Sequence, residues 1–317
     1  MARYSTRRHF LRFAFIGAIA ISAAQAATLG FSGPVSYPVG TEPRAIALRD
    51  LNGDGRLDLI AANAGSGEVS VLYGTGRGDF GKTVDYPVGN NPFSLAVGDV
   101  DRNGKPDLVV ADFADAALHT LLNGKKKPLA SPLTIPNGLD PYALALGDID
   151  NDGKPDIATA NIRDNSVSLL LGKSNGRFVA TDVDTVGTDP VAVAVGDFNR
   201  DGKQDIAAAN FGGNNVSILL NRGTSTPGDS NIVQLFTNVT VGTNPTAIAA
   251  GDINNDGKPD LVVANETSNS VSVLSGDGAG SFKGATPYTV GGNPNAVAIA
   301  DLNADGKPDI VSANLAG

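Results

Sequence analysis

Apolar residues along this chain come in short runs punctuated by Gly, Pro, Asn and Asp, and the runs recur in a fixed order. In the first unit Ala45-Ile46-Ala47-Leu48 leads into a polar loop, Leu59-Ile60-Ala61-Ala62 leaves it, and Val69-Ser70-Val71-Leu72 alternates strictly. A Gly-rich turn, an aromatic residue at Phe80 and a fourth run near Tyr86-Pro87-Val88 complete it. Later copies repeat the third run as Val167-Ser168-Leu169 and Val271-Ser272-Val273-Leu274, and the aromatic position as Phe178 and Phe282. Each unit opens on a Gly and then a Pro, the first at Gly40 and Pro43 and the last at Gly291 and Pro294. The second run ends at Asn63, Asp112, Asn161, Asn210, Asn265 or Asn314. Period-two alternation with such punctuation predicts strands and hairpins. Four short strands per unit of about 40–50 residues predict an all-β fold, a β-propeller of four-stranded blades.

The polar loop is the most regular part of the unit. It begins at Asp50, Asp99, Asp148, Asp197, Asp252 and Asp301, so successive copies start 49, 49, 49, 55 and 49 residues apart. Oxygen-bearing side chains stand at positions 1, 3, 5 and 9, with Gly at position 6. The first three copies supply Asp50, Asn52, Asp54 and Asp58, then Asp99, Asp101, Asn103 and Asp107, then Asp148, Asp150, Asp152 and Asp156. The last three supply Asp197, Asn199, Asp201 and Asp205, then Asp252, Asn254, Asp256 and Asp260, then Asp301, Asn303, Asp305 and Asp309. Like charges this close repel unless a cation neutralises them. Calcium fits, because it accepts about 6–8 oxygens in flexible geometry. Up to six ions are expected, with the main-chain carbonyl of position 7 (Arg56, Lys105, Lys154, Lys203, Lys258, Lys307) as a further ligand beside water. Asn103 at position 5 should weaken the second site.

An EF-hand is excluded, since position 12 is Ala61, Val110, Thr159, Ala208, Val263 or Ser312 rather than a bidentate Glu, and the flanks are strands. Asp, Asn and Gly also favour ordinary metal-free turns. Six copies that keep the acid at positions 1 and 9 favour the metal.

The loop with its flanking strands resembles the FG-GAP/VCBS repeat, the blade of the integrin alpha-subunit propeller and of many secreted bacterial proteins. The resemblance covers nearly all of the chain after its first residues, and implies that the loop joins the first two strands of a blade and binds calcium. It also implies a binding or adhesion role, since integrin propellers bind protein ligands and similar repeats in fungal lectins bind sugars between blades. No motif here transfers those ligand residues. Phe31 and Tyr37 lie 49 residues before Phe80 and Tyr86, so the segment from Ala27 is expected to supply a fourth strand that closes the last blade. Gly317 corresponds to Ser66 of the first unit. The expectation is therefore a six-bladed ring with an incomplete last blade, the alternative being a fragment of a seven-bladed propeller.

Residues 1–26 read as a signal peptide: Arg3, Arg7, Arg8 and Arg12 precede an apolar core from Phe13 to Ala24, and Ala24-Gln25-Ala26 fits cleavage. Arg7-Arg8-His9-Phe10-Leu11-Arg12 favours twin-arginine over general secretory export. A secreted or periplasmic product over residues 27–317 is expected, with no membrane span. The chain has no cysteine, so disulfide and thiol chemistry are excluded. Without the four signal arginines, 20 basic residues face 33 acidic ones, and 19 of those acids lie in the loops. The acidity is thus an inventory of metal sites, and nucleic acid is excluded as a partner.

Catalytic chemistry has little to work with. Beyond the signal segment there is one histidine, His119, in the slot that Ser70, Ser168, Ser217 and Ser272 fill elsewhere, where it reads as an ordinary strand residue. Arg77-Gly78-Asp79 spells an integrin-recognition tripeptide in a turn that is Gly/Asp-rich anyway, and Lys125-Lys126-Lys127 reads as a solvated loop. The extra residues around Gly223 to Ser230 are a candidate for ligand contact, since long loops carry recognition. The sequence therefore points to a monomeric, non-catalytic calcium-binding module for carbohydrate or extracellular protein, with an accessory envelope protein or a polysaccharide hydrolase as alternatives.

Overall fold

The computed structural model describes residues 34–124, 129–137, 140–223 and 232–316. The signal segment, the three lysines and most of the extra residues near Gly223 lie outside that range.

Five four-stranded antiparallel sheets follow one another, each a simple meander. The first contains β1 (Pro43–Arg49), β2 (Asp58–Asn63), β3 (Glu68–Gly74) and β4 (Phe80–Pro87). The second contains β5 (Pro92–Gly98), β6 (Asp107–Asp112), β7 (Ala117–Leu121) and β8 (Leu133–Pro136). The third contains β9 (Pro141–Gly147), β10 (Asp156–Asn161), β11 (Ser166–Lys173) and β12 (Arg177–Thr185). Next come β13 (Pro190–Gly196), β14 (Asp205–Asn210), β15 (Asn215–Asn221) and β16 (Val233–Thr240). The fifth sheet contains β17 (Pro245–Gly251), β18 (Asp260–Asn265), β19 (Ser270–Leu274) and β20 (Thr286–Thr289). The last is a two-stranded sheet of β21 (Gly292–Ala300) and β22 (Asp309–Ala316).

In the five complete blades the second strands are apolar because both their faces are covered. Along β6, Leu108 and Val110 pack with Ile60, Val69 and Val71 of the first blade. The intervening Val109 and Ala111 pack with Ile157 and Leu170 of the third. Equivalent clusters join the third blade to the fourth and the fourth to the fifth. Alternate residues of one strand thus serve two cores, which is why these strands read as apolar runs rather than as half-polar ones. Among the described residues no helix is long and apolar enough to cross a membrane.

The last blade is incomplete, as expected, but the closed six-bladed ring is corrected: among the described residues there are five complete blades and a two-stranded sixth sheet, to which no N-terminal strand is paired. The described part of the N-terminal segment runs along the first blade instead: Tyr37 stacks edge-on against Phe80 at 5.2 Å, and Thr83 Oγ1 donates to the Pro38 carbonyl at 2.9 Å. The first blade also keeps an open flank. Ile46 and Leu48 are 50% and 54% exposed, whereas Leu144, at the position of Ile46 in the third blade, is 8% exposed. In later blades these positions pack on the blade before, and among the described residues β1 has no such neighbour.

Candidate metal centre

Every loop joins the first strand of a sheet to the second, which places all six at the same end of their sheets. Gly at position 6 has φ between +79° and +86° in all copies (Gly55, Gly104, Gly153, Gly202, Gly257, Gly306), a left-handed conformation that glycine adopts without strain. Position 4 is left-handed as well, at Gly53, Arg102, Asn151, Arg200, Asn255 and Ala304, which the sequence reading did not anticipate.

The acidic side chains converge as their spacing requires. In the third loop Asp148 Oδ2 accepts from the Gly153 amide at 3.0 Å, Asp150 Oδ1 from the Asp152 amide at 3.1 Å, and Asp152 Oδ1 from the Lys154 amide at 2.9 Å. The bond from the position 6 amide to the position 1 carboxylate recurs in the other five loops. Three carboxylates, Asp99, Asp101 and Asp107 in the second loop and Asp148, Asp150 and Asp156 in the third, present oxygens within 4.8 Å of one another. In the other four loops Asn takes position 3, at Asn52, Asn199, Asn254 and Asn303, and its Oδ1 accepts from the position 5 amide.

The acid at position 9 is the deepest group. Asp58, Asp107, Asp156, Asp205 and Asp260 are fully buried. Asp156 Oδ2 accepts from the amides of Ile149 and Asp150 at 2.7 and 3.2 Å, and Oδ1 from Gly172 at 2.8 Å. Burial still outweighs those bonds and raises Asp107, Asp156 and Asp205 to about 6, with a neighbouring loop acid adding to the rise. At the rim Asp50 is held below the usual carboxylate range, chiefly by the Gly55 amide.

A cation fits this arrangement. Buried like charges raise one another's pKa, and Asp148 Oδ1 is buried with no partner among the described residues. The position 7 side chains partly supply positive charge: Lys154 pairs with Asp152, Lys203 with Asp201 at 2.9 Å, and Lys258 with Asp256 at 3.6 Å. An all-oxygen donor set of this kind suits a hard divalent ion. Alternate blades also clasp their predecessors. Asn123 Nδ2 donates to the Leu51 carbonyl and Asn221 Nδ2 to that of Ile149, both at 2.6 Å, so the first and third loops are each tied to the blade that follows.

Beside the fourth loop lies a groove of about 470 Å³ lined by Asn199, Asp201, Arg222, Gln234 and Phe236, among others. A second, of about 530 Å³, opens between β16 and the fifth blade, and Phe236 lines it too. The register of β15 on β16 jumps from Ile218↔Thr237 to Leu219↔Leu235, leaving Phe236 as the bulged residue. The bulge turns its ring outward, 51% exposed.

A family model described as "FG-GAP-like repeat" matches residues 50–110, 104–159, 148–208, 197–263 and 252–312. Comparison with curated proteins gives no match. Among solved structures, a protein from Lactobacillus plantarum aligns at TM-score 0.64 and 15% identity, over 86% of this chain and 77% of that one. An Agrocybe aegerita lectin aligns at 0.51 and 18%, over 87% and 72%. A virginiamycin B lyase from Staphylococcus aureus aligns at 0.54 and 15%, over 86% and 94%. At such identities these likenesses show the fold alone.

Proposed function

Because the chain belongs to the FG-GAP-like repeat family, we propose that it is a non-catalytic binding module whose loops hold calcium and whose fourth blade takes carbohydrate. The observation that carries the ligand class is Phe236, a bulged and half-exposed ring standing between two polar-rimmed grooves. A sugar presents an apolar ring face and a rim of hydroxyls. Phe236 offers a surface for the first, and Asn199, Arg222, Gln234 and Asn238 offer donors and acceptors for the second. The Agrocybe aegerita lectin, which recognises non-reducing terminal N-acetylglucosamine, shows that a related fold can serve such a ligand. The lyase shows that a related fold can also be an enzyme.

Calcium would be structural. It neutralises the loop acids, fixes the hairpins and, through Asp201, stiffens one wall of the Phe236 groove. Secretion supplies the compartment where calcium is abundant.

The test is a glycan array with the full chain and F236A, with calcium and with chelator. Binding to one glycan class that falls at least about tenfold in F236A, the loss of roughly one stacking contact, supports the reading. Glycan binding that F236A leaves unchanged moves the site elsewhere, and turnover of a polysaccharide at catalytic protein concentration overturns the non-catalytic assignment. A stable protein partner recovered without any glycan binding would replace carbohydrate by protein.

A further inference from the structure

At the opposite end of the second strands, away from the acidic loops, four blades share one buried pair. Asn63 Nδ2 donates to Ser70 Oγ at 2.9 Å, Asn161 to Ser168 at 2.8 Å, Asn210 to Ser217 at 2.8 Å and Asn265 to Ser272 at 3.0 Å. The second blade changes both members of the pair together. Asp112 stands at the Asn position and His119 at the Ser position, and both are buried, His119 at 4% exposure. A neutral donor–acceptor pair has become an anion beside a base.

A replacement hydrogen bond between Asp112 and His119 would be the simplest account, yet the structure does not contain one. Asp112 accepts from the Asn91 amide at 3.0 Å and from the Asp115 amide at 3.0 Å. His119 Nδ1 faces the Thr134 hydroxyl at 3.2 Å, and its Nε2 is buried without a partner. Asp115, on the turn between β6 and β7, adds a second carboxylate, which accepts from the amide and side chain of Asn90. One ligand atom from each of Asp112, Asp115 and His119 lies within 4.8 Å of the others. Among the described ion pairs none reaches either carboxylate.

We propose that Asp112, Asp115 and His119 form a transition-metal site of the zinc class, separate from the calcium loops. One imidazole nitrogen and two carboxylates suit Zn²⁺ or Mn²⁺, while an imidazole is a poor ligand for calcium. In the tautomer that donates from Nδ1 to Thr134, the buried and unpartnered Nε2 keeps a free lone pair with which to bind the ion. Thr134 then orients the ring as an outer partner commonly does for a metal-bound histidine. The ion would clamp the β6–β7 turn and leave coordination positions open to water. Asp107 and Asp112 are the first and last residues of β6, so about 17 Å of strand separates this site from its own loop. The two kinds of ion therefore bind independently. Phe113, the next residue, meets Phe93 and Tyr142 in an aromatic cluster, with ring centroids 6.2 Å from each. The clamp therefore steadies that cluster as well.

Zn²⁺ is titrated calorimetrically into the untagged full chain with its loops saturated by calcium, and the same is done for H119S, D112N/H119S and T134V. The double variant restores the pair that four sibling blades already fold with, so its calcium-dependent melt should match that of the parent. The expected result is one Zn²⁺ equivalent, weakened by at least about 100-fold in H119S and about tenfold in T134V. It should be absent from D112N/H119S. No Zn²⁺ uptake by the parent chain, or uptake that H119S leaves at full strength, overturns the proposal.

Discussion

Replacing Asp156 with Asn separates an ion-holding loop from an ordinary acidic turn, because the two predict different signs. In the metal-free protein the Asp156 carboxylate accepts from three amides but is fully buried beside Asp148 and Asp150. Burial wins, since the pKa stands at about 6 against the ordinary 3.8. At pH 7.5 the ionised form is therefore a burden that the neutral amide removes. The amide in turn loses one acceptor and leaves an N–H facing its own NH₂, a loss of about 1–3 kcal/mol. The two effects oppose one another, and the variant should lie within about 1 kcal/mol of the parent in chelator. Calcium changes the balance. A site filled at 100 times its dissociation constant stabilises by about 2.7 kcal/mol, and a variant that no longer fills it forfeits that amount. Urea titrations of the full chain, with calcium and with chelator, measure both numbers. D156N should be nearly silent in chelator and lose about 2–3 kcal/mol in calcium. Equal destabilisation of 2 kcal/mol or so under both conditions would refute the argument, since the carboxylate would then be a brace for a metal-free turn.

The same chemistry sets a pH dependence. Asp107, Asp156 and Asp205 hold their protons up to about 6 in the folded, metal-free chain. Relative to unfolded carboxylates they stabilise the apo fold in acid, and that contribution is lost as pH rises from about 4 to 6. Calcium must displace the protons, so its effect on the melting temperature should be larger at pH 7.5 than at pH 5; an increment that ignores pH would count against these ligands. At the open flank, Ile46→Ala should cost under about 0.5 kcal/mol in denaturant titration, while Leu144→Ala should cost about 2–4 kcal/mol. Equal costs would mean that β1 is covered in solution. Asn221→Ala deprives the buried Ile149 carbonyl and the half-buried Gln204 carbonyl of their donor. It should cost about 1–3 kcal/mol by the same titration, and a silent variant would show that the clasp between blades contributes nothing.

Most of the architecture was legible because each unit repeats its punctuation. Pro starts a strand where its missing N–H is harmless, Gly turns the loop and Asn or Asp ends the second strand, and in the five complete blades the structure places strand boundaries at those residues, while β21 starts at Gly292 and β22 runs past Asn314 to Ala316. The ends were less legible for a physical reason. A period of 49 says which unit Tyr37 resembles, but not which sheet edge it meets. In the structure its ring finds Phe80, and the last sheet stops at two strands. The exposed Ile46 and Leu48 could not be read from sequence either, because similar apolar runs are half-buried or buried wherever a neighbouring blade exists.

The loops show the same division between composition and context. Spacing alone picked out positions 1, 3, 5 and 9 as candidate ligands, and in the second and third loops the acids of positions 1, 3 and 9 present oxygens within 4.8 Å of one another. It could not show that the ninth acid would carry three amide hydrogen bonds and yet have a raised pKa, since that depends on how deeply the next strand buries it. Spacing also left His119 as a plain strand residue and Asp112 as a variant of Asn, each unremarkable in its own column. Their meaning appears only when strand pairing lays the two columns side by side, where one blade in five exchanges both partners at once and a buried nitrogen remains unused. In a repeat protein the sibling blades act as internal controls. A departure shared by two neighbouring residues is therefore a stronger pointer to added chemistry than either change alone, and here it singles out the blade that also carries the aromatic cluster.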